Sequence, residues 1–311
     1  MQHTQVTHII VEQDFVDQRL DNFLVRELKG LPRTYLYKLL RKGEIRVNKK
    51  RCKPNQRLNL NDDIRLPPMT LADPSQPAVA AKGLQHDIKA ACLYEDDGLI
   101  VFNKPSGIAV HGGSGVRLGF IEAVRQTYPY SQNWELVHRI DKETSGCLMV
   151  SKKRSMLRHL HAQLRAGRIK KTYWALVNGP WKEAVKVDAP LLRTETKSGE
   201  RRVKIAKHGK ESLTFFKPVT RYAQATLVEA RPHTGRTHQI RVHALSQGHA
   251  LLGDEKYAHD DQLAYWKTRG VRRLCLHAKA LKIPMKDAST LYVEAPVPSN
   301  FTSIMDRLTP Q

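Results

Sequence analysis

The chain has 311 residues, 41% of them hydrophobic, enough to bury a sizeable core, so a disordered chain is excluded. Its 52 Lys plus Arg against 30 Asp plus Glu leave a net charge of +22, a field that favours polyanions and above all nucleic acid. Solubility alone does not call for so large an excess, and no apolar run approaches bilayer-spanning length.

The opening MQHTQVTHIIVEQ lacks the basic and then apolar order of a secretory signal, so a soluble, cytoplasmic protein with no membrane partner is expected. Cys52, Cys92, Cys147 and Cys275 form no CxxC pair. They are expected to be reduced packing residues rather than a disulfide framework or a thiolate zinc site.

The first predicted helix is capped by Asp17, carries Leu20, Phe23, Leu24 and Leu28 on one face, and closes at Gly30. A second starts at Pro32, has an apolar stripe of Leu36, Leu39 and Leu40, and ends at Gly43; the alternation of Ile45 and Val47 then signals a strand. Between residues 33 and 57 basic side chains accumulate, and Glu44 is the only acid among them. Such a run is often only a solvated face, but this one straddles a helix end and a hairpin-like turn at Asn48 and Lys49, so RNA contact is expected from Lys38, Arg41, Lys42, Lys49, Lys50 and Arg51.

Arg19-Leu20-Asp21, Lys42 to Asn48 (KGEIRVN) and Asn61-Asp62-Asp63-Ile64 resemble the S4 RNA-binding domain, an αL-type fold. The family usually has Gly where Asn61 stands, and the resemblance adds Arg19 to the expected RNA contacts. This domain is expected over 1–66. From Pro67 to about Leu84 the composition shifts to Pro, Ala and Ser without apolar periodicity, which predicts a linker over 67–87. The remainder, 88–311, alternates β-rich runs (LIVFN, CLMVS, TYWALVN, ATLVEA) with helical stretches and reads as α+β. Met156, Leu157, Leu160 and Leu164 predict one helix, closed by Gly167.

The most informative stretch is His138 to Gly146 (HRIDKETSG), a polar loop entering a strand. On spacing alone, Asp141 beside Arg139 reads as a structural ion pair. The stretch is similar, however, to the signature of the RluA-type pseudouridine synthases, which usually have Leu where Ile140 stands. Four more motifs follow the family's order: KPSG at 104–107 with Val110-His111, Lys171-Thr172-Tyr173, TGRTHQIRVH at 234–243, and RLCLHA at 273–278. Ala250 and Ala258 stand where the family often has Pro and Gly.

The resemblance implies a catalytic domain with a mainly antiparallel mixed sheet flanked by helices. It also implies isomerisation of specific uridines in 23S ribosomal RNA or its precursor, by a monomer with no metal and no cofactor. The family's catalytic aspartate falls on Asp141. The reaction breaks the N1–ribose bond, turns the uracil and joins C5 to the same carbon. A carboxylate suits it as a nucleophile on the sugar or as a base near it. To stay ionised in a closed pocket the acid needs a cation, and the resemblance assigns that place to Arg236, at the mouth of a helix that Thr237 can cap and Gly248 can end. Arg236 could equally clamp a phosphate. Tyr173, on its strand an ordinary core aromatic, is by resemblance the residue that stacks on uracil and a candidate base for the C5 proton. The target base must be flipped out of its stack. Arg139 is then implied to fill the vacated space and Leu276 to line the uracil pocket, although a core leucine would look the same.

His233, His238, His243, His249 and His277 raise a metal hypothesis, but no HExxH spacing occurs and acids are not interleaved. The glycines of HGGSG at 111–115 lack the GK[ST] ending of a phosphate loop and read as a flexible substrate loop.

Overall fold

The computed structural model describes residues 2–310 apart from 4, 29–30, 32, 71–78, 113–117 and 196–200. The chain divides into two compact units, Met1–Ala78 and Val79–Gln311.

In the first unit the helices Leu20–Glu27 and Arg33–Lys42 pack beside a four-stranded antiparallel sheet in the order Thr7–Ile10, Asp63–Leu66, Arg46–Val47, Lys50–Arg51. The stripes read from the sequence form its core: Leu20, Phe23, Leu24, Leu36, Leu39 and Leu40 are all buried. Helix starts differ from expectation. Arg19, not Asp17, occupies the cap position, because Asp17 takes a left-handed backbone at φ 64° and pairs with Leu58 instead. Gly30 and Pro32 lie outside the described residues. Gly43 does end the second helix, at φ 73°.

The 67–87 segment is not an unstructured linker throughout. Met69–Thr70 pairs with Gln2–His3, and Lys82–Ala90 is a helix that packs near Phe120–Thr127. Leu84 and Ile88 share a face one helical turn apart and Ile88 is buried, a pair that the expected boundary at 87 split. Residues 71–78 of the expected linker lie outside the described residues.

The second unit is built on a ten-stranded mixed sheet among the described residues. From one edge its main path runs Val185–Asp188, Leu213–Arg221, Ala225–Pro232, Lys170–Asn178, Leu276–Pro284, Ser145–Ser151, Leu99–Lys104 and Cys92–Glu95. Every pair is antiparallel except Ser145–Ser151 with Leu276–Pro284. The α+β class and the mainly antiparallel sheet are therefore as expected. The Ser145–Ser151 strand is buried at all seven positions, as a central strand covered on both faces should be.

Gly146 explains how the single parallel pair forms. It sits at φ 105° opposite Ala278, and a Cβ there would lie 2.3 Å from the Ala278 carbonyl oxygen. Only glycine lets the two backbones approach so closely. That approach sets the start of one strand, just after Asp141, beside the start of the next, at Leu276.

Candidate active site

The loop His138–Thr144 is held at both ends by hydrogen bonds to neighbouring segments. At its entry, the Met149 N–H donates to His138 Nε2 at 3.1 Å, which places the ring proton on Nδ1. Burial, together with the charge of Lys171, pulls the His138 pKa down to about 3, so the ring is neutral. At its exit, the Lys142 carbonyl accepts from the Gly107 N–H at 2.9 Å and from Lys104 Nζ at 3.1 Å, while the Glu143 carbonyl accepts from Ser106 Oγ at 2.7 Å. The KPSG motif is thus a backbone clamp on the Asp141 loop.

Lys104 anchors that clamp. Its fully buried ammonium also donates to the carbonyls of Pro105 at 2.7 Å and Ile108 at 2.8 Å, so three carbonyls meet its three N–H groups. Burial pulls its pKa down to about 7; the three carbonyls favour the charged form.

Asp141, Tyr173, Arg139, Leu276 and Arg236 line one cavity of about 310 Å³, the lower end of the roughly 300–1,000 Å³ seen for ligand pockets. A second cleft of about 610 Å³ shares Arg139 and Asp141 with it, so both residues stand where the two spaces join. Tyr173 pairs with Ala230 on one side and Ala278 on the other, which centres its strand in the sheet, and its side chain is 9% exposed. Burial first, and then the Asp141 charge, raise its pKa well above the usual phenol value. At neutral pH Tyr173 is therefore a phenol. Leu276 is 4% exposed, and Arg139 is exposed.

The cation that meets Asp141 is not the expected one. Arg236 is exposed, and its Nε donates to the Glu211 carbonyl at 3.1 Å. Arg241 reaches Asp141 instead, with Nη1 3.4 Å from Oδ2. Arg241 is itself fixed by a bidentate pair with the buried Asp254, at 2.8 and 2.6 Å. Burial opposes its charge, but Asp254 and Asp141 outweigh burial and raise its pKa. The reason lies in the helix. The Gln239–Ser246 helix starts two residues after Thr237, which gives it no cap; the cap position belongs to His238 at φ 52°. That start turns Arg241 inward and leaves Arg236 on the preceding loop. Gly248 does follow the helix end as expected, at φ 83°.

His238 completes the wall. Its Nδ1 lies 2.7 Å from the Tyr257 hydroxyl, its Nε2 3.9 Å from Asp141 Oδ2, and burial takes its pKa to about 4. It is a neutral neighbour of the carboxylate, not an ion partner. Three of the others are spent separately: His243 on Thr214 and the Ala189 carbonyl, His249 on the Asn178 carbonyl, His277 on Ser145 and the Ala295 carbonyl, while His233 is exposed. Among the described residues no group of three or more His, Cys, Asp or Glu is placed to hold a metal ion.

On the first unit, Lys38, Arg41, Lys49, Lys50 and Arg51 are exposed, and among the described residues none pairs with a carboxylate; Lys42 lies 3.5 Å from Glu44. Asn48 and Lys49 form the expected turn at φ 50° and 65°, pinned where the Asn48 amide donates to Asp62 at 2.7 Å. Asn61, in the family's glycine place, takes φ 63°. Arg19 differs from the rest: it forms a bidentate pair with buried Asp21, at 2.6 and 3.1 Å, that joins the Tyr37 hydroxyl in holding the helices. Part of the loop expected at 111–115 (113–115) lies outside the described residues.

Sequence reasoning missed Arg241 and Asp254 as site residues. A signal existed: Arg241 is the one charge between Ile240 and Val242, where an inward-facing cation needs a carboxylate.

Comparison with known proteins identifies the family. A family model described as RNA pseudouridylate synthase matches residues 98–246, and an S4 domain model matches 18–64. The chain is 45% identical over 306 residues to the ribosomal large subunit pseudouridine synthase C of Haemophilus ducreyi, covering 97% of this chain and 96% of that protein. The protein of the same name in Escherichia coli K12 is 47% identical over 310 residues, with 96% of each chain covered. Among solved structures, human RNA pseudouridylate synthase domain containing 4 superposes with a TM-score of 0.61 at 25% identity, covering 74% of this chain and 97% of that one. The chain belongs to the RNA pseudouridylate synthase family and is an isomerase that carries an S4 RNA-binding domain.

Proposed function

We propose that the protein converts specific uridines of large-subunit (23S) ribosomal RNA to pseudouridine, as a cytoplasmic monomer without metal or organic cofactor, with Asp141 as the reacting carboxylate. One observation carries this: a carboxylate held by Arg241 lines, together with the buried ring of Tyr173, a cavity large enough for one flipped base. The substrate class is supported by the names of relatives that match nearly the whole chain and by the excess of positive charge.

The target nucleotide leaves its stack at a cost of about a few kcal/mol, offset by contacts in the pocket. Arg139, exposed at the join of the two clefts, enters the space the base leaves. Tyr173 and Leu276 hold the uracil ring between them, and Arg241 keeps the Asp141 carboxylate aimed at the sugar. Tyr173, held as a phenol, serves first as a stacking surface. Arg236, at the cavity edge, contacts the RNA backbone. The S4 unit adds phosphate contacts through Lys38, Arg41, Lys42, Lys49, Lys50 and Arg51, and the tie to Asp21 makes Arg19 a brace for that surface.

The test is pseudouridine mapping of ribosomal RNA from cells lacking the protein, with the gene returned as wild type or as Asp141→Asn. Positions lost in the deletion strain should return with the wild type and stay absent with the variant. Unchanged maps in the deletion strain would overturn the substrate; full restoration by Asp141→Asn would overturn the role of the carboxylate.

A further inference from the structure

We propose that the Lys171 ammonium is a further catalytic group of this site, one that hydrogen-bonds a carbonyl oxygen of the flipped uracil and stabilises the negative charge the ring gains during the reaction. The inference rests on the reading of the cavity as a uridine site.

Position comes first. Lys171 and Tyr173 are two apart on the Lys170–Asn178 strand, so they share a face, and both line the cavity that holds Asp141. Lys170, on the opposite face, is exposed and donates to the Gly167 carbonyl. One strand therefore presents both a ring to stack on the base and a cation beside it.

The partners of Lys171 are the second argument. Among the described residues its one hydrogen bond is to the Thr234 carbonyl, a long one at 3.3 Å, and no carboxylate lies within ion-pair distance. Lys104 and Lys279 in the same unit show what a structural lysine does here: the first meets three carbonyls, and the second pairs with Glu294 at 2.7 Å. An ammonium with N–H groups left over, in a wall that desolvates it, costs stability, and its pKa is lowered by burial alone. The close charge also helps to hold His138 neutral. A ligand carrying oxygen acceptors would complete the set.

The chemistry supplies such a ligand. When the N1–ribose bond breaks, the bond pair leaves with N1 and spreads to the two carbonyl oxygens of the ring. If Asp141 instead adds to C6, the pair of the C5=C6 bond moves on to O4. On either route an oxygen gains charge. Lys171 transfers no proton in this scheme. The ring later returns an electron pair to the ribose carbon through C5, the C5 proton is released, and N1 takes one up, so product and substrate are isomers. A preplaced donor of this kind is worth about 100–1,000-fold in rate.

The experiment measures single-turnover conversion at saturating RNA, using a ribosomal RNA fragment in which the target uridine is left alone or replaced by 4-thiouridine or 2-thiouridine. Sulfur accepts hydrogen bonds poorly, so wild-type enzyme should slow on the analogue altered at the contacted oxygen. Lys171→Met should slow about 100–1,000-fold on normal RNA. It should bind RNA nearly as well as wild type and lose nothing further on that analogue. Lys171→Gln, which keeps a donor without the charge, gives the same comparison if Lys171→Met fails to fold, and should also be slow. Wild-type rates for either variant, or losses from variant and analogue that simply multiply, overturn the assignment while the uridine reading stands. A wild-type protein that forms no pseudouridine on any ribosomal RNA overturns the reading, and the role of Lys171 with it.

Discussion

Arg241 and Asp254 form a buried two-point pair, Nε to Oδ2 at 2.8 Å and Nη2 to Oδ1 at 2.6 Å, that leaves Nη1 to face Asp141 at 3.4 Å. Asp254 is itself fixed, because its Oδ1 accepts the N–H groups of Lys256 and Tyr257, and Gly253 before it takes a backbone at φ 72° that no Cβ could share with the Arg273 carbonyl. The geometry at Asp141 is thus inherited from a residue outside the five motifs.

Removing that support should be costly. Asp254→Ala strips the buried Arg241 of its two-point partner and leaves it only the long contact to Asp141 at 3.4 Å, and is expected to destabilise the second unit by about 3–5 kcal/mol in urea unfolding. Arg241→Lys keeps the charge but loses the fork, and should cut turnover by roughly 100-fold. Arg236→Lys should cost clearly less, since among the described residues the Arg236 side chain meets no carboxylate and bonds to the Glu211 carbonyl. Equal losses at the two arginines would refute this division of roles.

Lys104→Met removes the donor shared by three carbonyls and loosens the Asp141 loop, which keeps the bonds from Gly107 and Ser106. Loss of about 1–3 kcal/mol is expected for the stranded acceptors. Activity at a temperature where the variant is still folded should also fall, because the Lys142 carbonyl keeps only the Gly107 N–H of its two donors. An active site unaffected in rate would show that the clamp serves stability alone.

Acid should weaken the fold through histidine. Burial holds His138 at about 3 and His238 and His277 at about 4, below the ordinary 6.5 of an unfolded histidine. Between those values the unfolded chain binds more protons than the folded one, so stability rises with pH and is lost as pH drops below about 6.5. Each group contributes up to about 1.4 kcal/mol per pH unit. Unfolding midpoints measured from pH 7 to pH 5 should therefore decline; a flat profile contradicts the neutral, buried rings.

The exposed basic turn of the first unit gives a salt test. Changing Lys49, Lys50 and Arg51 together to Ala should weaken RNA binding and flatten its dependence on salt. The log–log slope should fall by up to roughly 2 to 3, because a protein that neutralises fewer phosphates releases fewer counterions when it binds. An unchanged slope would mean that these side chains do not touch phosphate.

Much of this was legible in the residues. Apolar stripes at helical spacing became the buried faces of both N-terminal helices, and the positive-φ turn at Asn48 and Lys49 fell where expected. Four of the five motifs contribute to the lining of one cavity, and the fifth, KPSG, clamps the Asp141 loop instead. Which arginine meets Asp141 is not legible locally, because Arg236 and Arg241 belong to the same motif, five residues apart, and the start of the helix decides which of them points inward. Composition makes 67–87 look like linker to its end, whereas Leu84 and Ile88 pack the Lys82–Ala90 helix against the core.

By itself, the order of residues determined the class of partner, through charge, and the helical stripes, the strand runs and the motifs with their acid, because those depend on side-chain type and local spacing. Tertiary structure alone decided that Asp254 governs Arg241, that Lys104 clamps the loop and that Lys171 faces the cavity with N–H groups to spare. Those relations join residues 13, 38 and 63 positions apart in the chain, and their sign depends on burial, which local sequence does not carry.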